Sequence, residues 1–221
     1  LLRQDFFEIA EYAAGKGLRV TVGSNGTILS KETAAAMKRV PISRVAISLD
    51  FPIRELQDQF RCMPGAFDFA IRGARNALEA GVPIQINATI TKLNAPHLEA
   101  LLHLALELGA TAFHPFLLVP TGRGKSLKSE ELPPVECERI LRWICEKQVE
   151  LGDKMFFKPT DAPHYMRVKS QCGVDGPIHH HFADATGYGG QVRASSGMNG
   201  MTRGCLAGSG FCFISHVGRV Q

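Results

Sequence analysis

Features that would assign the chain to a membrane, secreted or nucleic-acid-binding class are missing from its sequence. The longest apolar runs are far shorter than the roughly 20 residues that a membrane-spanning helix needs. No charged and then apolar leader of the signal-peptide kind opens the chain, and no block of like charges or basic–aromatic stripe suggests nucleic acid. The formal net charge of +4 over 221 residues is mild and is compatible with an anionic small molecule as ligand.

Disulfides and a nucleotide triphosphate site are not expected either. Six cysteines in a chain without a leader favour thiols or metal ligands in a reducing compartment, so we expect a cytoplasmic location. The basic, glycine-rich segment 119–125 lacks the full G-x-x-x-x-G-K-[ST] spacing of a phosphate-binding loop. The chain starts without methionine inside a helix pattern and stops inside a predicted strand, so we expect it to be an internal piece of a longer protein.

What is present is an alternation of buried strands with amphipathic helices. Strands are predicted over residues 18–23, 45–49, 83–90 and 112–119. Helices are predicted over residues 2–13, 31–39 (capped by Ser30), 66–80, 96–108 and 134–150, with an irregular stretch over 51–65. Because the strands are almost continuously apolar, as burial on both faces requires, we predict an α/β fold: a partial (β/α) barrel with four parallel strands in sequential order and right-handed crossovers.

The alternation stops after about residue 151. Residues 170–204 contain many Gly, Ser and His and are predicted to form a long loop region, and residues 211–221 a small β-hairpin. We therefore place a domain boundary near residue 165. Residues 1–165 would form the partial barrel, and residues 166–221 would belong to a second, smaller domain.

Small polar clusters follow the predicted strands at their carboxyl ends, where a (β/α) barrel carries its active site. They are Ser24-Asn25-Gly26-Thr27, Ser48-Leu49-Asp50, Asn87-Ala88-Thr89 and Pro120-Thr121-Gly122-Arg123. Ser48 and Asp50 straddle Leu49, so along a strand their side chains point the same way. A hydroxyl beside a carboxylate suits a ribose or an ammonium group. Alternatively, both residues could only cap the next segment, and Asn25-Gly26 could be only a tight turn.

Two arginines and two cysteines are further candidates. Arg61 precedes a predicted helix and could clamp a ligand carboxylate through paired N–H donors, or it could be an ordinary solvated arginine. Arg123, two residues after Thr121, is a candidate to bind an anion at the mouth of the barrel. Alternatively, it could hold its own loop in place by donating hydrogen bonds to backbone carbonyls. Cys205 and Cys212 flank a glycine-rich turn, which suits thiolate ligation of zinc or an iron–sulfur cluster, although two thiols are only half of a usual site.

The remaining cysteines and the histidine run are interpreted more simply. A structural role is predicted for Cys62, Cys137, Cys145 and Cys172. The run His179-His180-His181 lies in the predicted loop, where solvated histidines are favoured over a metal site because adjacent side chains do not easily face one ion.

The order and spacing of these pieces resemble the radical S-adenosylmethionine enzymes that carry a SPASM-type C-terminal extension. Ser24-Asn25-Gly26-Thr27 is similar to that family's T-N-G-T strand end, and Ser48-Leu49-Asp50 matches its S-L-D element. Residues 60–68 (Phe-Arg-Cys-Met-Pro-Gly-Ala-Phe-Asp) match F-R-G-x-P-G-A-F-D, and residues 1–7 resemble the helix after the Gly-Gly-Glu-Pro motif. Phe51 stands where Gly is usual and Gln57 where His is frequent; neither position is expected to be essential for the proposed contacts.

The resemblance implies an enzyme with three cofactors: S-adenosylmethionine, a [4Fe–4S] cluster whose cysteine triad would lie upstream of Leu1, and an auxiliary [4Fe–4S] cluster. The residues it implies for S-adenosylmethionine are Ser48, Arg61, Asn25, Asp50 and Thr27, with Ser48 and Arg61 near the methionine moiety. Cys205, and with it Cys212, would ligate the auxiliary cluster. Residues 166–221 would then be the truncated start of a SPASM-type domain.

Within the family, residues 119–124 and 203–216 look most like the tetrapyrrole-modifying branch, in particular the haem b synthases of the sirohaem-derived haem pathway. This implies oxidative decarboxylation of two propionates of iron-coproporphyrin III to vinyl groups, with a reduced electron donor such as ferredoxin or flavodoxin. Arg123 and Thr121 would face the tetrapyrrole substrate, and the candidate apolar walls are Phe116, Leu118, Phe211 and Phe213. The alternatives are a sibling enzyme with a sirohaem-derived substrate or in haem d1 formation, a SPASM peptide-modifying maturase, a barrel aldolase or lyase without clusters, and a non-catalytic tetrapyrrole carrier.

Overall fold

The computed structural model describes residues 1–173 together with Ile214, Arg219 and Val220. The chain divides into two compact units, Leu1–Ala162 and Pro163–Gln221. In the second unit the described residues form one short helix and an antiparallel bridge between Ile214 and Val220. Its assignment to an auxiliary-cluster domain stays a prediction. None of the helices in the described ranges combines the length and the apolar character that crossing a membrane would require.

The strands of the first unit are Val20–Ser24 (β1), Ile42–Ser48 (β2), Ile84–Ile90 (β3), Ala112–Leu117 (β4) and Phe156–Phe157 (β5). The helices of the described ranges are Phe6–Gly15 (α1), Lys31–Arg39 (α2), Arg54–Phe60 (α3), Ala66–Glu79 (α4), Leu98–Glu107 (α5), Pro134–Leu151 (α6) and Tyr165–Gln171 (α7). Two 3-10 segments, Ala95–His97 and Gly122–Glu130, complete the pattern. As predicted, the Ser30 side chain caps α2 by accepting a hydrogen bond from the Thr33 N–H at 3.2 Å.

The five strands form one sheet in the order β1-β2-β3-β4-β5, and every neighbouring pair is parallel. The predicted α/β fold, a partial (β/α) barrel with parallel strands in sequential order, is therefore confirmed. The predicted number of strands is wrong, because β5 adds a fifth strand of two residues, too short to show a period in the sequence. The prediction of an irregular stretch over residues 51–65 is also wrong in part, because α3 forms within it. That helix buries only Gln57, so it has no apolar stripe by which to recognise it.

The two faces of the sheet differ in chemistry. One face carries almost completely buried apolar side chains, and helix α4 packs against β2 and β3. Those side chains are Val45, Ile47, Leu49, Ile84, Ile86, Ala88, Ile90, Phe113 and Leu117. The opposite face, which we call the inner face, carries the polar residues Arg44, Ser48, Gln85, Asn87, Thr89 and His114. The expectation of almost continuously apolar strands is thus wrong for the inner face, where hydrogen bonds take the place of apolar packing.

Two glycines let the loop after β1 lie directly on helix α4. Gly26 has a φ of 83°, and a Cβ at this position would lie 2.7 Å from the Phe69 carbonyl oxygen. A Cβ on Gly73, in the helix, would lie 2.9 Å from both the Cα and the carbonyl oxygen of Gly26. These contacts are with backbone atoms, which do not move aside cheaply. The loop that begins the predicted site is therefore fixed by close contact with α4.

We predict that Gly73→Ala lowers the free energy of unfolding by about 1–3 kcal/mol, because the added methyl group overlaps the Gly26 backbone. Gly15→Ala is the matched control: Gly15 is also helical, and a Cβ there meets nothing within 4 Å. The control should raise stability by up to about 1 kcal/mol through helix propensity. Urea unfolding of both variants measures the two effects, and equal stability of Gly73→Ala and the unaltered protein would contradict the close contact.

Candidate functional site

The predicted cofactor residues lie at the carboxyl ends of β1 and β2. Ser24 is paired with Ile47, so Asn25 and Ser48 follow at the same level on neighbouring strands. Ser48 is half-buried, and its hydroxyl makes no hydrogen bond to another described residue. The structure thus brings Asn25 and Ser48 to one edge of the sheet, as the sequence predicts.

Asp50 lies just beyond β2, and its side chain is completely buried. One carboxylate oxygen, Oδ2, accepts from Arg61 Nε at 2.6 Å and lies 2.5 Å from Arg61 Nη2. The other oxygen, Oδ1, accepts from the Thr89 backbone N–H at 2.8 Å, where β3 ends. The Arg61 side chain is bound to Asp50 through its guanidinium and is still 33% exposed. The structure therefore brings Arg61 to the end of β2 and places the Asp50 carboxylate beneath it.

Burial is the largest influence on Asp50 and raises the pKa of its carboxyl above the ordinary value. The charge of Arg61 and the hydrogen bond from the Thr89 N–H oppose this effect. The buried Asp50 carboxylate holds the Arg61 guanidinium at the end of β2. Separating the two groups would leave the negative charge of Asp50 uncompensated in the interior of the protein.

Gln57 and Phe51, the two departures from the family pattern, both support this arrangement. Gln57 is buried, and its Oε1 accepts from the backbone N–H groups of Asp50 at 2.9 Å and of Phe51 at 3.1 Å. Phe51 is buried, with its ring centroid 5.4 Å from that of Phe60. That neither position is essential for the proposed contacts stays a prediction, although the Gln57 amide does bind the backbone that carries Asp50.

Asn94 also holds the backbone at Asp50 in place by side-chain hydrogen bonds. Its Nδ2 donates to the carbonyl oxygens of Asp50 at 3.0 Å and of Thr89 at 2.8 Å. Its Oδ1 accepts from the Thr91 N–H at 2.8 Å. Asn94 is buried and so joins the ends of β2 and β3 by hydrogen bonds that water does not reach. Sequence reasoning missed this residue, because its partners become neighbours only in the folded chain.

The loop that presents Arg61 is held at both ends. The Asp58 carboxylate accepts from the N–H of Gly65 at 2.7 Å and of Phe67 at 2.9 Å, and these bonds lower the pKa of Asp58. Cys62, next to Arg61, is exposed and has a φ of 50°. Cys145 is buried and Cys137 partly buried, whereas Cys172 is exposed like Cys62. The predicted structural role is therefore wrong for Cys62 and Cys172, whose thiols lie at the surface instead of in the core.

Asn25 and Thr27 form a turn closed by their own side chains. Asn25 Oδ1 accepts from the Thr27 N–H at 3.2 Å and from the Thr27 hydroxyl, and Ser24 Oγ accepts from the Gly26 N–H at 3.0 Å. This supports the tight-turn interpretation of the tetrapeptide. A cofactor role for Asn25 and Thr27 stays a prediction.

Most of the remaining predicted site residues lie outside the described part of the chain, and for these a role in the site stays a prediction. Thr121 is exposed and directly precedes the 3-10 segment Gly122–Glu130, and the side chain of Arg123 lies outside the described part of the chain. Cys205, Cys212 and the run His179-His180-His181 also lie outside the described residues, as do Phe211 and Phe213. Phe116 and Leu118 are half-buried. Within the described residues, no group of three or more His, Cys, Asp or Glu side chains could hold a metal ion.

A hydrogen-bond network on the inner face was not predicted. Arg44 Nη1 donates to Gln85 Oε1 at 3.2 Å, and Gln85 Nε2 donates to Asn87 Oδ1 at 2.6 Å. The same Gln85 nitrogen lies 3.0 Å from His114 Nδ1. Burial lowers the pKa of His114 to about 3, with further contributions from the charges of Lys158 and Arg44. The imidazole is thus neutral at physiological pH. Polar residues at alternate positions of β3, an otherwise apolar strand, were the signal in the sequence.

The depressed pKa of His114 predicts how stability depends on pH. Between about 3 and the ordinary value of 6.5, the unfolded chain binds a proton that the folded chain does not. Stability is therefore lost as the pH falls below 6.5, at a rate approaching about 1.4 kcal/mol per pH unit. His114→Gln should remove this contribution. Urea unfolding at pH 5, 6 and 7 tests this prediction, and parallel pH dependences for the two proteins would show that His114 titrates normally.

The chain was compared with known families and proteins. Residues 1–105 match the family model described as Radical SAM superfamily. The chain is 40% identical over 223 residues to the "AdoMet-dependent heme synthase" of Oleidesulfovibrio alaskensis, an alignment that covers 100% of this chain and 54% of that protein. It is 36% identical over 176 residues to the "Fe-coproporphyrin III synthase" of Methanosarcina barkeri, covering 80% of this chain and 42% of that protein. The chain thus spans about half the length of the curated relatives it matches.

The fold is similar to that of a protein of known structure. SuiB of Streptococcus suis, solved with S-adenosylmethionine bound, superposes with a TM-score of 0.62 over 76% of this chain and 38% of its own. At 15% sequence identity this likeness shows the fold alone. The family match, the identity over the whole chain and the sheet of parallel strands agree with the resemblance of the sequence motifs. The chain therefore belongs to the radical SAM superfamily.

Proposed function

We propose that the protein containing this chain is a haem synthase that oxidatively decarboxylates two propionates of iron-coproporphyrin III to vinyl groups, giving haem b. The observation that carries this proposal is the extent of the likeness. The haem synthase relative aligns with 100% of the chain at 40% identity, whereas the Fe-coproporphyrin III synthase aligns with 80% at 36%. The likeness to the haem synthase thus includes a part of the chain that the second alignment leaves out.

The described residues fit the binding of S-adenosylmethionine. A partly exposed arginine held on a buried carboxylate suits the carboxylate of the methionine moiety, and we assign that carboxylate to Arg61. The Ser48 hydroxyl, without a partner among the described residues, is a further hydrogen-bonding group at the same edge. In this assignment Asp50 acts through Arg61 and does not touch the cofactor, since both of its oxygens are engaged inside the protein. Asn25 and Thr27 would line the site from the neighbouring strand end.

When bound, S-adenosylmethionine together with a reduced [4Fe–4S] cluster supplies the radical that abstracts hydrogen. Each conversion removes one hydrogen atom, one electron and CO2 from a propionate and leaves a vinyl group. This chain's part is to hold the cofactor and the macrocycle so that one specified carbon reacts, because positioning dominates such selectivity. Arg123 and Thr121, in the segment after β4, are our candidates for a propionate at the mouth of the barrel.

The clusters and partners belong to the same proposal. Among the described residues, no group of three or more His, Cys, Asp or Glu side chains could hold a cluster. We assign Cys205 and Cys212 as ligands of an auxiliary [4Fe–4S] cluster, which would accept the electron that leaves the propionate. A reduced ferredoxin or flavodoxin would supply electrons to the radical cluster. Such reduced donors are compatible with a cytoplasmic enzyme.

The test is an anaerobic assay of the reconstituted full-length protein with iron-coproporphyrin III, S-adenosylmethionine and a reductant. We expect 5′-deoxyadenosine to form together with haem b, both measured by chromatography. Arg123→Ala should still cleave the cofactor but form little haem b, whereas Arg75→Ala, an exposed arginine on α4, is the control and should behave like the unaltered protein.

Other results would redirect the assignment. If the protein converts a sirohaem-derived tetrapyrrole instead of iron-coproporphyrin III, its assignment to the tetrapyrrole-modifying branch stands. The proposed decarboxylation of iron-coproporphyrin III is then wrong. Turnover of a peptide alone would favour a maturase, and binding of a tetrapyrrole without cofactor cleavage would favour a carrier.

A further inference from the structure

The inner face presents a row of three polar side chains beside the proposed cofactor edge. Ser48 on β2 is paired with Asn87 on β3, and Asn87 is paired with His114 on β4. Paired residues of parallel strands share a face, so the three lie side by side. At the usual strand spacing, His114 lies about 10 Å from Ser48 across the sheet. That distance separates His114 from the residues assigned to the methionine carboxylate.

The network fixes which nitrogen of His114 carries the hydrogen. Arg44 has only donors, so the oxygen of the Gln85 side chain must face it, and the Gln85 nitrogen must face His114. Gln85 therefore donates to His114 Nδ1, and the ring hydrogen lies on Nε2. That nitrogen is buried and has no hydrogen-bond partner among the described residues. Buried donors without a partner are rare in folded proteins, so this N–H is expected to meet an acceptor that is not among the described residues.

The surroundings indicate the charge of that acceptor. The cations of Lys158 and Arg44 act on His114, and the Phe156 ring packs against the imidazole with centroids 5.6 Å apart. A neutral donor among cations, with an aromatic neighbour, suits a carboxylate attached to an apolar ring system. A free water molecule would gain less from the neighbouring positive charges.

We propose that the His114 Nε2–H binds a propionate carboxylate of the tetrapyrrole substrate and so helps to determine which propionate is presented for reaction. This inference rests on the proposed function. In it, Arg44 and Gln85 are positioning residues, because they act by fixing the orientation and the tautomer of His114.

The test compares two variants of the reconstituted full-length protein. His114→Leu removes the donor, whereas His114→Gln keeps an N–H at a similar reach. Optical titration with iron-coproporphyrin III measures substrate affinity, calorimetry measures the affinity for S-adenosylmethionine, and steady-state assays separate KM from kcat. We expect His114→Leu to weaken substrate binding about ten- to a hundredfold and to raise KM, and we expect His114→Gln to recover most of this loss. The affinity for S-adenosylmethionine should not change in either variant.

Each other outcome overturns the inference in a recognisable way. Unchanged substrate affinity in His114→Leu, while the unaltered protein makes haem b, overturns the contact and leaves the proposed function intact. An equal loss of affinity for S-adenosylmethionine would show that His114 supports the cofactor site or the fold instead. If the unaltered protein neither binds nor converts iron-coproporphyrin III, the proposed function fails and this inference fails with it.

Discussion

The carboxylate of Asp50 joins three parts of the molecule that are far apart in sequence. It follows β2, it accepts the N–H of Thr89 at the end of β3, and it holds the guanidinium of Arg61 in the loop between α3 and α4. Because this carboxylate is completely buried, each of these bonds is protected from water and from competing ions. The position of Arg61, and with it the proposed cofactor site, depends on this one group.

The sheet gives the molecule two surfaces with different tasks. Its apolar face binds the helices and provides the core, and the Gly26–Gly73 contact fixes the first site loop on α4. Its inner face is polar, and there Arg44 orients Gln85, and Gln85 orients His114. Rigid orientation before a ligand arrives lowers the entropy cost of binding it. This division is compatible with the proposed function, in which one carbon of a large, flat substrate must be presented to a radical.

The sequence was sufficient to predict the order and direction of the strands and the end of the sheet where the polar strand-end residues lie, because alternation and strand-end polarity are local signals. It was not sufficient for α3, which buries an amide and no apolar stripe, or for β5, which has two residues. The tasks of Gln57 and Asn94 were missed for a different reason. Asn94 satisfies backbone carbonyls that become neighbours only when β2 and β3 have paired, and Gln57 satisfies two backbone N–H groups just beyond β2 from a helix that the sequence does not reveal. Long-range satisfaction of buried polar groups leaves no periodic trace in a sequence.

The most direct measurement is a double-mutant cycle on the affinity for S-adenosylmethionine, with Asp50→Asn, Arg61→Ala and the double variant in the full-length protein. If Asp50 acts by holding Arg61, Arg61→Ala should weaken binding by about 1.5–3 kcal/mol, the usual worth of a hydrogen bond to a charged group. Asp50→Asn should weaken binding when Arg61 is present and have no further effect when it is absent. Additive losses, or unchanged affinity in Arg61→Ala, would contradict the account.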